Sequence, residues 1–148
     1  MKILVPVDGS KHSFEALKTA IDLVKAKGAE LSVISVVPSI SGMEDHEISP
    51  AKKERVTGSM TNYADGVIQK AVELLALENV KAAHTRAIIS EVSVPDALID
   101  FAEKEKVDLI VMGSRGMSTS ARFRLGSVAT QVVKYSPCSV YVIKLPAA

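Results

Sequence analysis

One cysteine, Cys138, stands in 148 residues, so no internal disulfide is available. No apolar stretch approaches the ~20 residues of a membrane-spanning helix. The opening Met1-Lys2-Ile3-Leu4-Val5 meets Pro6 and Asp8 almost at once. That is too short for a signal-peptide core and reads as a first strand. Excess charge is also missing. Lys and Arg number 18 against 17 Asp and Glu, for a net charge of +1. No bulk electrostatic case exists for nucleic acid or an anionic membrane. A cytoplasmic protein is the simplest reading.

Familiar catalytic patterns are absent as well. His12, His46 and His84 have no Cys, Asp or Glu partner at metal-ligand spacing, so no metal site is assigned. Cys138, beside Pro137, reads as a packed small side chain. There is no G-x-S-x-G elbow and no Ser-His-Asp order, so no catalytic residue is assigned. The phosphate signatures G-x-x-x-x-G-K-[ST] and G-x-G-x-x-G are missing too.

What is present is enough for one domain over residues 1–148. Apolar residues make up 47%. A chain of this length buries roughly 70% of its unfolded surface. Five apolar runs read as strands: Ile3–Val7, Leu31–Val37, Lys81–Ile89, Leu109–Met112 and Ser139–Ile143. Between them lie segments of helical period. Phe14, Leu17, Ile21 and Val24 mark the first helix, with Ser10 or Ser13 to cap it and Gly28 to stop it. Pro38 to Pro50 reads as a polar loop. Val56, Met60, Ala64, Val67, Ala71 and Leu74 give a long second helix, with Gly58 and Gly66 weakening its continuity. Ser93 to Lys106 is the third helix and Val128 to Tyr135 the fourth. The order βαβαβαβαβ implies a parallel sheet covered by helices on both faces. If strands one and four are neighbours, Asp8 and Gly113 face one crevice.

The segment Gly113-Ser114-Arg115-Gly116, nine residues, then Gly126-Ser127 carries the chemistry. A buried strand ends in a glycine-rich loop, and a helix begins on a glycine and a hydroxyl. Glycines permit close backbone approach, and helix-start amides favour negative charge. Arg115, Arg122 and Arg124 add cations, and the Ser127 hydroxyl is placed to cap the helix or to meet a phosphate. Ser118-Thr119-Ser120 reads as a polar loop rather than a phosphorylation target. The residues alone leave two readings open: a phosphate cradle, or a tight turn with a capped helix. Asp8 likewise reads either as a turn residue or as a ligand contact.

The spacing Gly113-x2-Gly116-x9-Gly126-Ser127 resembles the nucleotide-binding motif of the universal stress protein family. The opening Ile3-Leu4-Val5-Pro6-Val7-Asp8-Gly9-Ser10 and the ending Ser136-Pro137-Cys138-Ser139-Val140 resemble it too, so the likeness covers essentially the whole chain. It implies a Rossmann-like α/β domain of strand order 3-2-1-4-5. It implies the branch that binds ATP, with Mg2+ or Mn2+ arriving on the nucleotide, rather than the branch without nucleotide. By position, Asp8 would contact ribose or phosphate, with Pro6 and Val7 on the same turn. Val36 would meet adenine through its backbone, and Met112 and Gly113 would lie near the ribose. Gly116, Gly126, Ser127 and Val128 would hold the phosphates, with Arg115 alongside. Ser93-Val94-Pro95 departs from the Gly- and Asp-rich turn common there in the family. The last strand, with Val140, Tyr141 and Val142, should be a sheet edge open to a second copy, and the resemblance implies a homodimer. The function implied is a stress-response or signalling module read by a protein partner. A dimeric interaction protein without nucleotide, and a slow ATP-hydrolysing enzyme, are the alternatives.

Overall fold

The computed structural model describes residues 1–115 and 125–146. In chain order the elements are β1 (Lys2–Pro6), α1 (Lys11–Lys27), β2 (Glu30–Pro38), α2 (Pro50–Leu77), β3 (His84–Ser90), α3 (Val94–Lys104), β4 (Leu109–Gly113), α4 (Ser127–Tyr135) and β5 (Ser139–Ile143). The five strands form one sheet of order β3-β2-β1-β4-β5. Every neighbouring pair is parallel, with Ile3 opposite both Leu31 and Leu109. The α/β architecture is the one expected.

Alternation along β1 sorts the core into two layers. Ile3, Val5 and Val7 point to one face, where they meet Ala16, Leu17, Ala20 and Ile21 of α1 and Val67, Ile68 and Ala71 of α2. Leu4 points to the other, joining Ile34, Ile110 and Met112 beneath Leu98 and Phe101 of α3 and Ala129 and Val132 of α4. The central strands are covered on both sides, which is why they read as unbroken apolar runs.

Local chemistry sets the helix ends. Ser10, not Ser13, caps α1, accepting from the Ser13 amide at 3.1 Å. Gly28 closes it in the left-handed region at φ 68°, donating to the Val24 carbonyl at 2.8 Å. Ser49 and Ser93 cap α2 and α3 in the same way. The second helix starts at Pro50, before its first apolar position. Its opening turns are largely exposed, so no hydrophobic period announces them. The helix runs on through Gly58 and Gly66, neither of which has anything within 4 Å of a built Cβ. The third strand begins at His84 rather than Lys81, and the third helix ends at Lys104 rather than Lys106. No helix among the described residues is long and apolar enough to cross a membrane.

Leu17 is fully buried between α1 and the sheet, whereas Leu77 is 82% exposed. Leu17→Ala is expected to cost roughly 3 kcal/mol of unfolding free energy in urea titration. Leu77→Ala should stay within about 0.5 kcal/mol of the parent.

Candidate nucleotide site

Strands β1 and β4 lie side by side, but their chains leave toward opposite faces. The first leads into α1 on one layer, the second toward α4 on the other. A crevice opens beyond their carboxyl ends, at the switch point of the sheet.

On the β1 side, Val7 still pairs with the sheet, donating to the Ile34 carbonyl at 2.8 Å. Asp8 then turns the chain. Its Oδ1 accepts from the Ser10 amide at 2.9 Å, and its own amide donates to Ser13 Oγ at 3.3 Å. Asp8 therefore does the work of a turn residue while also facing the crevice.

On the β4 side, Gly113 passes close under α1. A Cβ built there would lie 2.6 Å from His12 Cβ and 2.9 Å from the His12 carbonyl carbon. Its missing side chain is thus demanded by helix–strand packing. The Ser114 amide continues the ladder to the Ile143 carbonyl at 2.8 Å. The Ser114 carbonyl in turn accepts from the Gly126 amide at 2.6 Å, which pins the start of α4 to the end of β4.

That start differs from the other three. Gly126 occupies the cap position of α4, and no side chain caps the helix. Ser127 is the first helical residue and does not cap it, which removes one of its two sequence readings. The first amide to close on the helix is that of Thr130, to the Gly126 carbonyl at 2.9 Å. The amides of Ser127, Val128 and Ala129 precede that bond and stand outside the ladder of the helix. The positive end of the helix dipole lies at the same point.

A cavity of about 870 Å³ occupies the crevice. Pro6, Val7, Asp8, Val36, Met112, Gly113, Arg115, Gly126, Ser127 and Val128 all line it. Gly116, Arg122, Arg124 and the Ser118-Thr119-Ser120 stretch lie outside the described residues. The sequence reading missed Ser13, Val94, Leu98, Leu125, Ala129, Thr130 and Gln131. Val94 and Leu98 are one helical turn apart on α3, and Gln131 follows Ser127 by one turn on α4. Those spacings were visible, but not that the two helices would pack together over the sheet. The departure at Ser93-Val94-Pro95 thus gives the cavity an apolar wall. The described wall combines polar groups, at the start of α4 and at Arg115, with apolar side chains such as Val36, Val94 and Leu98. A ligand with an anionic group and a flat apolar body matches that mixed lining. No group of three or more potential metal-ligating side chains occurs among the described residues.

Gly113→Ala should lower the unfolding free energy by about 1–3 kcal/mol, because the obstacle is helix backbone rather than a flexible tip. Gly42→Ala, where a Cβ meets nothing within 4 Å, is the matched control. Urea midpoints compare the two.

The family model described as "Universal stress protein family" matches residues 1–144. A universal stress protein of Methanocaldococcus jannaschii is 36% identical over 153 residues, covering 98% of this chain and 82% of that protein. Among solved structures, the universal stress protein UspA from Lactobacillus plantarum superposes with a TM-score of 0.84 at 25% identity, over 97% of each chain. An Arabidopsis thaliana universal stress protein family member, solved with AMP bound, has the same fold, with a TM-score of 0.67 at 17% identity over 99% of this chain and 93% of that one. Sequence match and strand order agree, and the chain belongs to the universal stress protein family.

Proposed function

We propose that this protein is a cytoplasmic ATP-binding member of its family, acting as a stress-response or signalling module. The observation that carries the reading is the uncapped start of α4, whose first residues Ser127, Val128 and Ala129 line an open cavity. The triphosphate would lie against Gly126, Ser127 and Val128, with Arg115 and Gly116 alongside. Adenosine would extend past Met112, Gly113 and the Pro6-Val7-Asp8 turn toward Val36. The AMP held by the Arabidopsis protein supports an adenine nucleotide as the ligand class. Mg2+ or Mn2+ would arrive on the phosphates, since hard cations readily share ligands with them.

Binding would set the conformation of the rim loops, and a protein partner would read it. Asp8 and Arg115 are the ionisable side chains of the described wall, and Asp8 is already engaged in its turn. That wall supplies no lysine to hold a transferring phosphoryl group, so the reading is a binding module with at most slow hydrolysis. Two copies would pair through β5, the edge strand of the sheet, where Tyr141 is 47% exposed between Val140 and Val142.

Titration calorimetry with ATP and Mg2+ tests the site. The parent should show saturable binding. Gly126→Asp places a carboxylate where it caps α4 and repels phosphate. It should keep or slightly raise stability while weakening binding by about tenfold to a hundredfold, the loss of charged hydrogen bonds. Undiminished binding by this variant would refute the phosphate assignment. For assembly, light scattering across micromolar concentrations should give the mass of two chains. Tyr141→Lys should shift it toward one.

A further inference from the structure

Tyr63 stands on α2, the layer opposite α3 and α4, yet it reaches the turn that follows β1. Its hydroxyl donates to the Asp8 carbonyl at 3.1 Å, across 55 residues of chain. The ring also sits hard against Gly9. A Cβ built on Gly9 would fall 2.2 Å from Tyr63 Oη and 3.1 Å from Cζ, and Gly9 itself has φ +90°. Position 9 is therefore closed to other residues twice over, by backbone conformation and by this ring.

The Asp8–Gly9 peptide has a specific weakness. Glycine accepts either sign of φ, so nothing in residue 9 fixes which way the preceding carbonyl points. The Asp8 amide is tied to Ser13 Oγ and its Oδ1 to the Ser10 amide, but both bonds are local to the turn. The Tyr63 hydroxyl anchors the Asp8 carbonyl to another element of the fold. Tyr63 is not part of the described wall of the large cavity. It lines a second cavity of about 340 Å³, which shares Asp8 and Val36 with the first.

Resting on the nucleotide reading above, we infer that Tyr63 is a positioning residue. Through the Asp8 carbonyl it fixes the orientation of the Asp8–Gly9 peptide, and so where the Asp8 carboxylate stands in the cavity. It acts on the ligand through Asp8 and not by touching it. The consequence is that α2 is linked to the occupancy of a site it does not line.

The test uses the full-length chain, calorimetry with ATP and Mg2+, and the variants Tyr63→Phe, Asp8→Ala and the pair together. Phe keeps the ring against Gly9 and removes only the hydroxyl. Tyr63→Phe is expected to weaken binding about fivefold, the worth of one ordinary hydrogen bond. In the Asp8→Ala background it should cause no further loss, because the group it positions is gone. In nucleotide-free protein, hydrogen exchange at the Gly9 and Ser10 amides should quicken in Tyr63→Phe. A tyrosine that merely stabilises the fold would leave affinity unchanged well below the melting temperature. Parental affinity in Tyr63→Phe, equal losses in both backgrounds, or unchanged exchange at Gly9 and Ser10 would each overturn the inference. Parent protein that binds no nucleotide would remove the functional reading itself, a result distinct from a binding-competent parent matched by its Phe variant.

Discussion

The parallel pairing of β1 with β4 is the constraint on which the rest of this molecule depends. Two adjacent strands end together, and their connections depart to opposite layers. A crevice opens where they part. The gap has backbone on both lips: the Val7–Gly9 turn on one side, the Gly113–Arg115 exit on the other. Helices α3 and α4 then wall it from one layer. The sheet order alone, before any side chain is considered, determines that a cavity lies there.

Three of the described glycines border this region, and each serves it in a different way. Gly9 combines a positive φ with a tyrosine ring in the space of its missing side chain. Gly113 allows α1 to rest directly on the end of β4. Gly126 leaves a helix start without a cap. A pattern that looks uniform in sequence is thus a conformational demand, a packing demand and an exposed set of donors. Packing on the far layer is what lets the strand end and the turn meet, so the shape of the cavity is partly set by residues that never face it.

Much of the fold was legible because burial leaves a signature in composition. Leu109–Met112 and Ile3–Val7 are apolar throughout, since both of their faces are covered. Gly28 and Ser93 marked helix ends through local chemistry that needs no tertiary information. The start of α2 was not legible from periodicity, because its first two turns bury little. Ser49-Pro50, a hydroxyl followed by a first-turn proline, was the available signal. In the cavity, Asp8 and the glycines were found through spacing and through likeness to a family. Val94, Leu98 and Gln131 were not, because their place depends on how two helices far apart in sequence settle against each other. Tyr63 was hidden for the same reason: nothing near it in the chain suggests that it touches residue 8.

The unequal treatment of helix starts has a thermodynamic side. Three serines complete the first turns of α1, α2 and α3 from within the chain, so those turns hold together whatever surrounds them. Among the described residues no side chain does this for α4, which leaves its opening turn to water or to something better. Its local opening free energy is then a property of the solution as much as of the polypeptide. One end of one helix becomes the point at which the composition of the surrounding medium enters the folding equilibrium of the whole domain.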